Sequence, residues 1–300
     1  MTNSRIKLAL HIGYAKCATT YLQKEVFPNL VGINYLGRYY PRKLSLNEFS
    51  EKVCEYANGN HDLLDEISKR FAQQSDGLNF YSNEVILRPS NFQTIFKNLA
   101  ELRDKVGKTA LIISIRNQSS LIFSRYMHDL SKDAFRPYKI SDALDFNPDS
   151  ACNWPSCNDG LWMKLIRKSP IKSATRCYCN QFKVKRINVP YYNYNQLLEL
   201  ALEFFDRDQI HFIVSEQLKT SPIHELKRLY DFLNIPSDFI DQSQFKLGED
   251  VNQRNKDERY LRLHEAYRED GIHQQITDYF KADNATFAKR IGVNLTDFGY

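Results

Sequence analysis

Two short, nearly unbroken apolar runs constrain this chain most: Ile6-Lys7-Leu8-Ala9-Leu10-His11-Ile12 and Thr109-Ala110-Leu111-Ile112-Ile113-Ser114-Ile115. Neither alternates with polar residues as a half-exposed strand would, so both read as strands buried on both faces. Each runs into a polar loop and then a helical pattern. After Gly13 the pattern starts near Thr19 and carries Tyr21, Leu22 and Val26; after Asn117 it carries Leu121, Ile122 and Tyr126. Further strand-like runs lie at 33–36, 78–81 and 210–214. Helical patterns lie at 45–57, 61–73, after Ser90, at 194–204, and after Ser221-Pro222, where serine can cap and proline fits the first turn.

Strands alternating with helices at these spacings predict an α/β fold, a three-layer sandwich with a central parallel sheet, and ligands in such folds bind at the carboxyl ends of the strands. Nothing divides residues 1–300 convincingly, so we expect a single domain. The stretch 136–190 is richer in cysteine, lysine, proline and tryptophan and weaker in periodicity, which suggests an insertion or a lid over the sheet.

Composition narrows the class. With 42% hydrophobic and 26% charged residues, 11 glycines and 10 prolines in 300 residues, the chain is neither disordered, fibrous nor linker-rich. No apolar run approaches the roughly 18 to 20 residues of a membrane span, and no secretion signal is expected. A net charge of +5 favours an anionic ligand and falls far short of a nucleic-acid-coating protein. The six cysteines imply reduced thiols and a cytoplasmic location. Cys152, Cys157, Cys177 and Cys179 cluster at C-x4-C and C-x-C spacings, which could hold zinc but miss the usual C-x2-C pairs; free thiols are favoured and no metal site is expected.

The loop Gly13-Tyr14-Ala15-Lys16-Cys17-Ala18-Thr19-Thr20 joins a buried strand to a helix start, where backbone N–H groups and the helix dipole cradle an anion. It is not a Walker A loop, which has its lysine directly before the hydroxyl residue. Here Lys16 sits mid-loop, able to reach over the anion, and Thr19 and Thr20 offer hydroxyls from the first turn. With Tyr21-Leu22 the segment resembles the 5′-phosphosulfate loop of the sulfotransferases that use 3′-phosphoadenosine 5′-phosphosulfate (PAPS), approximately G-x-x-K-x-G-T-[TS]-x-L. Ala18 stands where that pattern has glycine, a tolerable change if its φ stays negative.

The segment Arg116-Asn117-Gln118-Ser119-Ser120-Leu121-Ile122-Phe123-Ser124-Arg125-Tyr126 resembles the same family's 3′-phosphate signature, R-[ND]-P-x-x-R-x-x-S-x-Y, with Gln118 for the proline and Leu121 for the second arginine. The resemblance, to bacterial members of that family and to carbohydrate sulfotransferases, implies PAPS as donor and PAP as product. It implies that Lys16, Cys17, Ala18, Thr19, Thr20 and Tyr21 bind the phosphosulfate, and that Arg116 and Ser124 bind the 3′-phosphate. The acceptor is expected to be a small molecule or glycan bearing a hydroxyl, on a saccharide or glycosylated small molecule.

Lys16 is the candidate for charge on the leaving phosphate oxygen. Glu84, after the strand at 78–81, matches an acidic residue that serves as base in related carbohydrate sulfotransferases. His128, four residues after Ser124 and so on the same helix face, is the second base candidate, with a partly exposed helix histidine as its plainer reading. His11 is expected to face the core or bond a backbone carbonyl. Cys17, near a helix N-terminus, is a candidate for a lowered thiol pKa, but direct transfer needs no covalent intermediate and it reads as a loop residue. Arg254, with Asn252, lies in a late polar loop able to close on the donor. Tyr191, Tyr192, Tyr194, Trp154 and Trp162 are candidates to stack on sugar rings or to fill the core. Two other classes stay open: a divergent P-loop nucleotide kinase, which the strand-end Arg116 disfavours because such enzymes commonly carry a Mg²⁺-organising aspartate there, and a non-catalytic anion-binding protein of the same fold. Nothing in the sequence fixes the oligomeric state.

Overall fold

Both apolar runs lie in the middle of a five-stranded parallel sheet in the computed structural model, which describes residues 5–38, 43–73, 77–87, 91–132, 139–147, 186–236 and 258–300. The strands are β1 (Leu8–Gly13), β2 (Ile33–Tyr35), β3 (Leu78–Ser82), β4 (Thr109–Ile115) and, after a small separate sheet, β7 (Ile210–Val214), in spatial order β2-β3-β1-β4-β7. All neighbours are parallel, with His11 opposite Ser82 of β3 and Ile112 of β4, and Gly13 opposite Ser114. The small sheet pairs β5 (Leu144–Asp145) with β6 (Ile187–Asn188). Most of the 136–190 stretch, with its four cysteines and both tryptophans, lies outside the described residues, as do Asn252 and Arg254.

Helices cover both faces: α1 (Thr19–Tyr21), α2 (Leu44–Ala57), α3 (Leu64–Ala72), α4 (Phe92–Val106), α5 (Gln118–Lys132), α6 (Ile140–Ala143), α7 (Tyr194–Leu202), α8 (Ser215–Thr220), α9 (Pro222–Leu233), α10 (Glu258–Glu269) and α11 (Ile272–Ile291). The expected three-layer α/β sandwich is what forms. Side chains alternate along each strand, so the sheet feeds two cores. Leu8, Leu10 and Ile12 of β1, with Leu111, Ile113 and Ile115 of β4, join the core shared with α2, α4, α5, α7 and α11. Ala9, Ala110, Ile112, Phe80 and Ile213 join the other, beneath Leu22, Val26 and α9.

Two local expectations change. The helix after Gly13 is broken: α1 continues as a π-helical turn, Leu22–Val26, and a 3₁₀ turn, Phe27–Asn29. Ser221 begins α9 with Pro222 in the first turn, but its hydroxyl makes no capping bond.

From β1 the chain crosses to β2 at one edge, returns through β3, and then passes β1 to β4 on the other side. That reversal opens a crevice at the carboxyl ends of β1 and β4, the place where open α/β sheets bind ligands. His11 sits just below it, buried among three strands, with Nδ1 2.7 Å from Ser82 Oγ and Nε2 3.2 Å from Ser114 Oγ. It therefore bonds two serine hydroxyls rather than a backbone carbonyl. Gly13 is needed beside it, because a Cβ there would come within 2.2 Å of Ser114 Oγ.

Candidate active site at the carboxyl ends of the central strands

The loop after β1 is anchored by Tyr14, whose buried ring lies against Phe92, Tyr191, Tyr192 and Tyr194 and whose hydroxyl donates to the Tyr191 carbonyl at 3.0 Å. Tyr192 and Tyr194 are thus core residues, not sugar platforms. Beyond Tyr14 the backbone turns left-handed twice, at Lys16 (φ 78°) and at Ala18 (φ 56°). The condition set for Ala18 is not met: it takes the conformation that favours glycine, and at such a site a Cβ costs about 1–2 kcal/mol. Left-handed residues interspersed in a tight loop turn successive N–H groups toward one concavity, an anion nest, and the first N–H groups of the following helix have no intrahelical acceptor. Thr19 is buried at the start of α1, with Thr20 and Tyr21 half-buried after it. Cys17 does not have an activated thiol: burial pushes its pKa well up, which outweighs the opposing pull of Arg116.

Arg116, leaving β4, crosses the crevice and donates Nη1 to the Lys16 carbonyl at 3.1 Å. Its Nε lies 4.0 Å from Glu216 Oε1. Glu216, on α8, also accepts from the Asn117 backbone at 3.1 Å and from the Tyr300 hydroxyl at 2.9 Å. Asn117 caps α5, accepting from the Ser120 N–H at 3.0 Å, and donates to the Gly299 carbonyl. The end of the chain thus braces the Arg116 loop. Lys16 Nζ lies 3.2 Å from His128 Nδ1; an ammonium can only donate, so Nδ1 accepts. Lys16 therefore bonds Arg116 through its carbonyl and His128 through its ammonium. Ser124 lies half-buried on α5, four residues before His128 and on the same face.

The two departures in the second motif have structural uses. Leu121 is fully buried in the larger core. Gln118 exchanges paired amide hydrogen bonds with Asn284 of α11, at 2.8 and 3.1 Å.

Glu84 stands just past β3, held from two sides. Arg38 Nη1 donates to Oε1 at 3.1 Å, and Gln23 Nε2 donates to Oε2 at 2.7 Å. Arg38 is carried there by continued pairing beyond β2, its N–H donating to the Ser82 carbonyl at 3.0 Å. Gly37 permits that approach: a Cβ on it would lie 2.5 Å from the Ser82 nitrogen. Gln23, Arg38, Glu216 and Tyr300 were not among the site residues expected from sequence. Gln23 had one signal, its position four and three residues after Thr19 and Thr20, hence on their helix face.

Donors and cations dominate this crevice: a nest of N–H groups, two threonine hydroxyls, Lys16 and Arg116. They fit a ligand with anionic groups at both ends. A sulfotransferase domain family model matches residues 9–291. No curated protein matches the chain. Among solved structures, a sulfotransferase from Alicyclobacillus acidocaldarius superposes with a TM-score of 0.54 at 15% identity, covering 99% of this chain and 100% of that one. A sulfotransferase domain from the curacin biosynthetic pathway gives a TM-score of 0.37 at 14% identity, covering 78% and 76%. A mouse sulfotransferase in complex with PAP gives 0.36 at 13%, covering 81% and 62%. The family match over nearly the whole chain, on a fold whose central loops carry these cationic groups, makes this protein a member of the sulfotransferase family.

Proposed function

We propose that this sulfotransferase moves the sulfuryl group of PAPS to a hydroxyl on a saccharide or glycosylated small molecule. The observation that carries the reading is the Arg116 to Lys16 carbonyl bond, which joins the two loops across the crevice and sets a strand-end cation where a nucleotide kinase commonly carries its Mg²⁺-organising aspartate. Bound there, PAPS supplies an activated sulfuryl group on a phosphate leaving group. The chain's own groups do the rest. The nest at 16–18 with Thr19, Thr20 and Tyr21 would hold the phosphosulfate. Lys16 would give up its bond to His128 and set positive charge against the leaving oxygen. Arg116 and Ser124 would take the 3′-phosphate. Glu84 would accept the acceptor's proton as its oxygen bonds to sulfur and the sulfur–phosphate oxygen bond breaks. His128, with Nδ1 engaged by Lys16, is the second candidate for that proton. A buried free thiol at Cys17 accords with a cytoplasmic location.

Calorimetry without metal tests the donor assignment. PAP should bind and 5′-AMP and ATP should bind more weakly. Arg116→Ala should weaken PAP at least about tenfold, the scale of a lost charge-assisted hydrogen bond, and change 5′-AMP little. Equal losses for both nucleotides, or ATP binding that needs Mg²⁺, would sink it.

A further inference from the structure

We propose that Gln23 is a positioning residue that orients the Glu84 carboxylate, and that the π-helical turn after the donor loop presents it. The inference rests on the reading of Glu84 as proton acceptor. Its first support is chemical. Gln23 is completely buried, and a carboxylate only accepts, so the amide must face Glu84 with Nε2. That leaves Gln23 Oε1 buried without a hydrogen-bond partner among the described residues. An orphaned buried acceptor is destabilising, and methionine would fill the same length of side chain without one. Packing alone therefore does not account for a glutamine here, whereas its bond to Glu84 does.

The second support is the backbone. At Leu22–Val26 the helix widens to i to i+5 bonding, with the Phe27 N–H reaching back to the Leu22 carbonyl. Such turns are rare and collect at functional sites. Gln23 lies in this one, one turn beyond Thr19 and Thr20. The third support is the opposing arm, where Arg38 holds Oε1 through a close approach that only Gly37 allows. A two-armed grip fixes the carboxylate's plane, and one arm springs from the helix that follows the donor loop. Gln23 thus fixes the base relative to the donor.

The test uses the full chain as wild type, Gln23→Met, Glu84→Gln and the double variant. It reads PAP released from PAPS with p-nitrophenyl glycosides and with water as acceptors, PAP affinity by calorimetry, and the thermal midpoint. Gln23→Met should lower kcat at least about tenfold and keep PAP affinity within about twofold, with a fall in the midpoint no larger than one lost hydrogen bond to Glu84 explains, and it should add no further loss to Glu84→Gln. Turnover within twofold of wild type in Gln23→Met, or full additivity with Glu84→Gln, would each overturn the inference while Glu84 stands. Wild-type turnover in Glu84→Gln would remove the base assignment and this inference with it. No PAP release by the wild type with any acceptor would remove the proposed function itself.

Discussion

At the scale of single residues, Ala18 holds a left-handed conformation without being glycine. Removing its Cβ should relieve about 1–2 kcal/mol of strain, against about 0.4–1 kcal/mol of added chain entropy in the unfolded state. Ala18→Gly should therefore raise unfolding stability by roughly 0.5–1 kcal/mol, with PAP affinity kept; a loss of stability in urea would show that the Cβ packs usefully in the loop. The sequence made Lys16, Arg116 and His128 legible because each stands at a fixed offset from a recognisable strand end, and the fold joins them. Arg38 and Glu216 were invisible as site residues because their meaning comes from tertiary contacts 46 and 99 positions apart, and Gln23 had only its offset from Thr19 and Thr20 to mark it. Ala18 takes a positive φ for a related reason: a loop that must turn its N–H groups inward overrides the residue's preference.

At the scale of elements, α5 shows how a motif residue is exchanged for a packing role. Asn117 caps this helix, so Gln118 is its first residue, a position where proline is tolerated because the N–H has no intrahelical acceptor. The glutamine instead locks α5 to α11 through Asn284, and Ser119 locks it to α10 through the Tyr267 hydroxyl at 2.7 Å. Gln118→Pro should keep PAP binding but leave the buried Asn284 amide unpaired, at a cost of about 1–3 kcal/mol. Adding Asn284→Leu should recover much of it, and equal stability of wild type and Gln118→Pro in denaturant would show that the pair contributes nothing. β1 and β4 were readable because complete burial leaves a nearly unbroken apolar signature. The π and 3₁₀ turns after α1 were not, because local periodicity over five residues does not separate them from an α-helix.

At the scale of the whole molecule, the sheet carries two histidines that folding keeps neutral. Burial lowers the pKa of His11 to about 3, and burial, aided by Arg228 and Arg207, lowers that of His211 to about 3. Each unfolded histidine takes a proton below about pH 6.5, so the unfolded state binds more protons as pH falls. The stabilisation is complete above pH 6.5 and is lost as pH drops toward 3. Between pH 7 and pH 5 each histidine should remove about 2 kcal/mol from the unfolding free energy, about 4 kcal/mol together. His11 is tied to Ser82 and Ser114 beneath the crevice, so replacing it would orphan two hydroxyls. His211 is the clean probe. It stacks on Phe232 at 4.9 Å, and its Nε2 has no partner among the described residues, so a phenyl ring fits both its shape and its surroundings. His211→Phe should raise stability at pH 7, since it deletes an orphaned polar atom, and should halve the loss between pH 7 and pH 5 while PAP affinity stays unchanged. Urea unfolding at the two pH values decides it: a variant with the wild-type pH dependence would mean that burial of His211 does not contribute to the acid sensitivity of the fold.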